Sequence, residues 1–327
     1  MKLLRRTLLA VIALALGAGA LFYFNPLWIA DQQVRLRLWR ANVKSEYVEA
    51  GGYRLHYFEA GEGAPLLLIH GLGARGEDWS RMIPALASHG FHVYAPDLPG
   101  YGRSSQPKDA DYSIGMEEKA VVAFSQAVHL PHAFVAGWSM GGWVAMKMAL
   151  EHPKMVDRLV VYDSAAIYFP ADFGAELFVP TDAPGLFRLA AALSPEPNPN
   201  PRPLPDFVVR AVLRKFAENG WVIDRSMAAM TNGRDLLDFR LSEIHQPTLI
   251  VWGAEDHLIP LEVGRRIHEG IPGSTLSILE GCGHLAPLEC WQTATETTEK
   301  FLHAQPPLPG GERTYPAPNY RSSSPPH

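Results

Sequence analysis

The stretch AFVAGWSMGGWVAM, residues 133–146, passes from an apolar run into a helical pattern through the pentapeptide Gly137-Trp138-Ser139-Met140-Gly141. Residues Ala133–Trp138 read as a buried strand. Residues Met140–His152 read as a helix, ended by Pro153, whose ring blocks further helical bonding. A serine between the two stands on a tight turn that only small flanking residues such as Gly137 and Gly141 permit, so its hydroxyl projects above the edge of a sheet. Ser139 is therefore the candidate nucleophile. The bland alternative is a surface turn serine, for which a placement between strand and helix has no use.

Outward from this junction, strand-like and helix-like segments alternate from about Lys44, the pattern of a parallel sheet covered on both faces. Further strands are expected at Tyr53–Glu59, Pro65–His70, Phe91–Pro96, Arg158–Asp163, Thr248–Trp252 and Thr275–Leu279. The run PLLLIH at 65–70 is apolar throughout, as burial on both faces requires. The expected class is α/β, with a mainly parallel eight-stranded sheet flanked by helices. The strand pattern stops between about Ser164 and Gln246, and proline occupies every second position from Pro195 to Pro205, which reads as a stiff connector. After it, Val209, Val212, Leu213 and Phe216 mark one apolar helical face. A mostly helical cap inserted after the sixth strand accounts for that face better than a second packing layer. The expected division is an N-terminal segment and linker (1–43), a first core part (44–164), the cap (165–246), a second core part (247–303) and a Pro/Ser-rich, disordered tail (304–327).

A serine hydroxyl needs a base with a pKa near 7, and histidine supplies one. Of 13 histidines, His284 stands out: it follows the last expected strand in Gly281-Cys282-Gly283-His284, on a loop at the sheet's carboxyl edge. The imidazole in turn needs a carboxylate to fix its tautomer. Asp256, just beyond the preceding strand, is the candidate, with Asp163 a competing position and Glu255 its neighbour. The chain order Ser139, Asp256, His284 is the one that a nucleophile-elbow fold uses. Negative charge developing on a substrate carbonyl calls for backbone N–H donors. Met140 is expected to give one and Leu72 the other, within the loop His70-Gly71-Leu72-Gly73. Trp138 and Leu258 are candidates for the substrate pocket. Gly71, Gly73 and Gly76, with Asp97 beyond, also spell a dinucleotide fingerprint. Pro84 interrupts the helix this would need, and the fingerprint explains none of the other placements.

The segments HGLG (70–73), DLPGYGRS (97–104), GWSMGG (137–142), WGAEDHLIP (252–260) and GCGH (281–284) together resemble the α/β-hydrolase family over most of residues 45–303. With its N-terminal apolar run, the chain resembles bacterial lipases and membrane-anchored monoacylglycerol-lipase-like hydrolases. That resemblance implies hydrolysis of acyl esters through an acyl-enzyme intermediate, without cofactor or metal. Dehalogenases and epoxide hydrolases on this scaffold carry aspartate where this chain has Ser139. Carbon–carbon bond hydrolases (acting on meta-cleavage products), thioesterases and proline iminopeptidases share the triad, so fold and triad leave the bond type open. A non-catalytic small-molecule receptor is a remoter alternative.

A net charge of −5 provides no broad basic surface, which argues against nucleic acid as partner and for a small, apolar ester. Lys2, Arg5 and Arg6 precede an uncharged run, Thr7 to Ala30, long enough at about 1.5 Å per residue to cross a bilayer. An uncleaved signal anchor with the catalytic domain outside the cytoplasm, on the periplasmic side of a bacterium, is expected. Tyr23 and Trp28 suit the interface; the alternative is cleavage near Ala20 and a secreted or periplasmic protein. Arg35, Arg37 and Arg40 place positive charge on the other flank and weaken the orientation. Only two cysteines occur, Cys282 and Cys290, which excludes a disulfide framework; their pairing is open, and two free thiols are the plainer expectation.

Overall fold

A computed structural model describes residues 2–195 and 204–304, with side chains 2–4, 8–10 and 12–16 outside the description. Eight strands form one sheet: β1 (Lys44–Ala50), β2 (Tyr53–Ala60), β3 (Ala64–Ile69), β4 (Phe91–Pro96), β5 (Ala133–Trp138), β6 (Val156–Tyr162), β7 (Thr248–Gly253) and β8 (Thr275–Leu279). Their order is β1-β2-β4-β3-β5-β6-β7-β8. The β1–β2 and β2–β4 pairs are antiparallel, and the rest are parallel. The α/β-hydrolase fold expected from the sequence is the fold observed.

The unbroken apolar character of the central strands follows from two separate cores, one per face. Alternate residues of β7 divide between them: Ile250 joins one core, Leu249 and Val251 the other. The first face is covered by α4 (Ile114–Ala127), α5 (Met140–Glu151) and α9 (Leu261–Gly270). The second carries α3 (Met82–Ser88) and α11 (Trp291–His303), which pack on each other, with α10 (Ala286–Glu289) just before α11. Strand β1, which no apolar alternation marks, is a mostly exposed edge held to β2 over its whole length.

Among the described residues, the elements between β6 and β7 are helical: α6 (Ala175–Phe178), α7 (Ala183–Leu193), α8 (Asp206–Thr231) and a 3-10 turn, Leu241–Glu243. The apolar face read from Val209 to Phe216 belongs to α8, which runs a further four turns. The proline-rich connector falls largely at 196–203, and the tail at 305–327; both lie outside the described residues.

At the N-terminus, α1 (Lys2–Phe24) and α2 (Trp28–Arg40) precede the sheet. Leu38 of α2 is buried in the second core. Phe22 and Tyr23 at the end of α1 pack on Phe207 of α8, with ring centroids 5.5 and 5.1 Å apart. Among the described residues, no helix is long and apolar enough to cross a membrane.

The two cysteines depart from expectation. They are not free thiols: Cys282 and Cys290 form a disulfide, with Cα atoms 6.1 Å apart. The four-residue helix α10 folds the chain back between them, a reversal that their spacing in the sequence does not reveal.

Candidate active site

The turn from β5 into α5 places Ser139 at φ 56°, a left-handed conformation that a side-chain-bearing residue adopts only where its surroundings enforce it. Those surroundings are backbone. A Cβ on Gly137 would stand 2.1 Å from the Gly141 carbonyl oxygen, and one on Gly141 would stand 2.3 Å from that of Ile69. The two glycines are therefore required for α5 to start directly against β3 and β5, with Ser139 at the apex.

His284, on the loop after β8, reaches back to this apex. Its Nε2 lies 3.0 Å from Ser139 Oγ, and its Nδ1 lies 2.8 Å from Asp256 Oδ2. Asp256 follows β7, and its other oxygen accepts the N–H groups of Leu258 and Ile259 at 2.9 and 2.8 Å. Both imidazole and carboxylate are buried. An ionised carboxylate only accepts, so Nδ1 carries the proton and Nε2 is left to accept from the serine hydroxyl. The Trp138 indole N–H donates to the His284 carbonyl at 2.8 Å, and the His284 N–H donates to the carbonyl of Leu193 in α7 at 3.0 Å. One side chain and one cap helix thus fix the backbone of the histidine.

The rival position, Asp163, lies one residue past β6 and points elsewhere: its Oδ1 accepts the Gly253 N–H at 2.8 Å. Complete burial, reinforced by the charge of Asp256, raises its pKa well above the ordinary aspartate value. His257 turns away, its Nε2 3.1 Å from the Pro195 carbonyl.

Gly71 sits against the serine, with Ser139 Cβ 3.1 Å from where its own Cβ would be. His70 wires this loop. Its Nε2 accepts the Leu98 N–H at 2.9 Å, so Nδ1 must be the protonated nitrogen, donating to the Gly71 carbonyl at 2.8 Å. Burial lowers the pKa of His70, which keeps the ring neutral in this role. The amides of Leu72 and Met140, the latter at the N-terminus of α5, have no acceptor among the described residues.

A cavity of about 620 Å³ opens over Ser139. Its floor includes Gly71, Leu72, Gly73, Trp138, Met140, Leu258 and His284, so every residue the sequence suggested for catalysis or the pocket faces it, except the buried carboxylate Asp256 behind the ring. The roof is the cap: Phe169, Phe173 and Phe178, Leu189 of α7, and Phe216, Ile223 and Met227 of α8. Of these, only Phe216 carried a periodic signal. Asp78 also lines the cavity, and sequence reasoning passed over it because a lone acid in a polar loop has no distinguishing mark.

The family described as the alpha/beta hydrolase fold matches residues 64–195 and 205–289. A 2-hydroxymuconate semialdehyde hydrolase of Pseudomonas putida is 29% identical over 265 residues, covering 77% of this chain and 92% of that protein. Among solved structures, one described as a membrane phospholipase A, a novel bacterial virulence factor, aligns with TM-score 0.76 and 26% identity, covering 91% of this chain and 98% of its own. A putative lipase from Acinetobacter baumannii AYE aligns with TM-score 0.72 and 26% identity, covering 83% and 95%.

Proposed function

Because this chain belongs to the α/β-hydrolase fold family and is a hydrolase, we propose that it cleaves apolar carboxylic esters, monoacylglycerol-like lipids among them, through Ser139, His284 and Asp256. In this reading Ser139 Oγ attacks the ester carbonyl as His284 Nε2 takes its proton, and Asp256 stabilises the imidazolium. The Leu72 and Met140 amides hold the oxyanion. Collapse of the tetrahedral species expels the alcohol, which receives the proton from His284. Water, deprotonated by the same ring, then attacks the acyl-serine and releases the acid.

The observation that carries the ester reading is the cavity wall. It is predominantly aliphatic and aromatic, and no lysine or arginine occurs among its described residues. A neutral acyl chain suits such a wall; a carboxylate buried there without a cation would cost several kcal/mol, on the order of the penalty for an unpaired ion. The likeness to a membrane phospholipase A and a putative lipase supports the same reading.

A second reading has a specific observation behind it. The Pseudomonas relative is a hydrolase of 2-hydroxymuconate semialdehyde, and curated relatives of that kind weigh toward carbon–carbon cleavage more than toward ester hydrolysis. Substrates of the muconate type carry a carboxylate, so the two readings differ in what the cavity must hold. The deciding experiment is a panel on the purified protein: medium-chain acylglycerols, simple esters, thioesters, N-terminal proline amides and vinylogous diketone acids. Turnover of the esters at least a hundredfold above the diketone acids is expected; the reverse order would transfer the assignment to carbon–carbon hydrolysis.

We further propose that the N-terminal segment anchors the protein to a membrane with the hydrolase domain outside the cytoplasm. The uncharged run 7–30 supports this, as does a disulfide beside the histidine, since such bonds persist in oxidising compartments. Recovery in the membrane fraction after an alkaline wash is expected, and recovery in the soluble fraction would dismiss the anchor.

A further inference from the structure

Asp78 occupies the short 3-10 turn Gly76–Trp79, which follows the loop of Gly71 and Leu72 and packs on α10, the helix just beyond His284. It lines the cavity on this core side, opposite the aromatic roof. Its Oδ2 accepts the Arg75 N–H at 2.9 Å, and Oδ1 has no hydrogen-bond partner among the described residues. The cation that acts on it, Arg75, is already engaged: the guanidinium lies 2.5 Å from Glu77 and 3.7 Å from Asp31. Other polar side chains on the wall are committed or outlying. Ser139 and His284 belong to the triad, Thr231 donates to the Met227 carbonyl at 2.8 Å, and Tyr168 is largely exposed. Burial in this lining raises the Asp78 pKa to about 6, which leaves it ionised above neutrality.

An unpaired carboxylate in an apolar cavity costs stability unless something satisfies it. Its structural role, closing the capping box of the 3-10 turn by accepting the Arg75 N–H, occupies one oxygen and leaves the other. The residue lines the space that substrate must fill, with Oδ1 left without a hydrogen-bond partner among the described residues. We infer that Asp78 selects the alcohol half of the substrate, accepting a hydroxyl of a polyol ester such as a monoacylglycerol and repelling any carboxylate brought to the same wall. This inference rests on the ester reading above for its substrate class. It assigns the exclusion of dienoate-type acids to a like charge, in addition to the lack of a cation.

Two measurements test it. In the first, kcat/KM for a 1-monoacylglycerol is compared with that for the methyl ester of the same fatty acid, in the unaltered protein and in Asp78→Leu and Asp78→Asn. The preference for the monoacylglycerol should fall about tenfold or more in Asp78→Leu, chiefly through KM, and about two- to threefold in Asp78→Asn, whose amide oxygen still accepts. In the second, Ser139→Ala, with and without Asp78→Leu, is titrated with a non-hydrolysable 1-O-alkylglycerol and with the methyl ether of the same chain length. The alkylglycerol should lose about tenfold in affinity relative to the methyl ether when Asp78 is replaced. An unchanged affinity ratio in the folded double variant overturns the inference. If the unaltered protein hydrolyses no ester, the functional reading falls, and the binding ratio still decides whether Asp78 recognises a hydroxyl.

Discussion

Ser139, His284 and Asp256 are joined in one hydrogen-bonded chain, and under the proposed ester chemistry they act as one unit. Ser139→Ala and His284→Ala should each lower kcat by about four orders of magnitude or more while leaving the unfolding midpoint within a few degrees. Turnover surviving in either, measured with an ester that the unaltered protein cleaves, would move the chemistry elsewhere. These residues were legible in the sequence for one reason: each stands just past a strand end, in a segment whose glycines mark a close approach of backbone. Asp256 could be preferred to Asp163 but not separated from it, since both follow strands. Only the direction of the side chains, one toward the imidazole and one toward Gly253, distinguishes them. Away from the site, Glu117 of α4 is buried with neither oxygen hydrogen-bonded among the described residues, and burial raises its pKa well above 4.5. The native state therefore holds this proton longer than the unfolded chain does. Its contribution to stability is full at low pH and declines as pH rises above about 4.5 toward the folded value. Glu117→Met should raise the unfolding free energy at pH 8 by about 1–3 kcal/mol relative to the unaltered protein, and by less at pH 4.5. An equal effect at both pH values would show that the carboxyl does not ionise across that range.

Among the elements, the hydrolase core was far easier to read than the cap. Apolar runs between turn signals gave the central strands to within a few residues, whereas β1, a polar edge, shows no such run and owes its existence to pairing with β2. The loop 165–174 brings Phe169 and Phe173 over the serine without any periodicity that would announce it. The disulfide belongs to this scale too. It closes a separation of eight residues around α10 and begins two residues before His284. Replacing both cysteines by alanine should cost about 2–3 kcal/mol of stability in the chain-entropy model. Activity should fall several-fold with it, as the loop carrying the histidine loosens. Dithiothreitol should reproduce the loss in the unaltered protein and have no effect on the double variant; insensitivity of both would show that the loop holds its place without the bond.

For the whole molecule, the sheet order sets β5, β6, β7 and β8 side by side, so that serine, carboxylate and imidazole meet at one rim although they lie far apart in the chain. The N-terminal helices attach to this body unequally. Leu38 of α2 is part of the second core, while α1 packs on the cap through Phe22 and Tyr23. Removal of residues 1–24 should therefore abolish recovery with membranes and leave hydrolysis of water-soluble esters nearly intact. Removal of residues 1–43 should also lower the unfolding midpoint, because Leu38 goes with it. Equal midpoints in the two truncations would mean that α2 is as dispensable as α1. The hydrogen bond from the His284 N–H to the Leu193 carbonyl has a consequence for turnover as a whole. The peptide backbone of the roof steadies the imidazole beside Ser139, so the position of α7 and the aim of the ring are set by one shared contact.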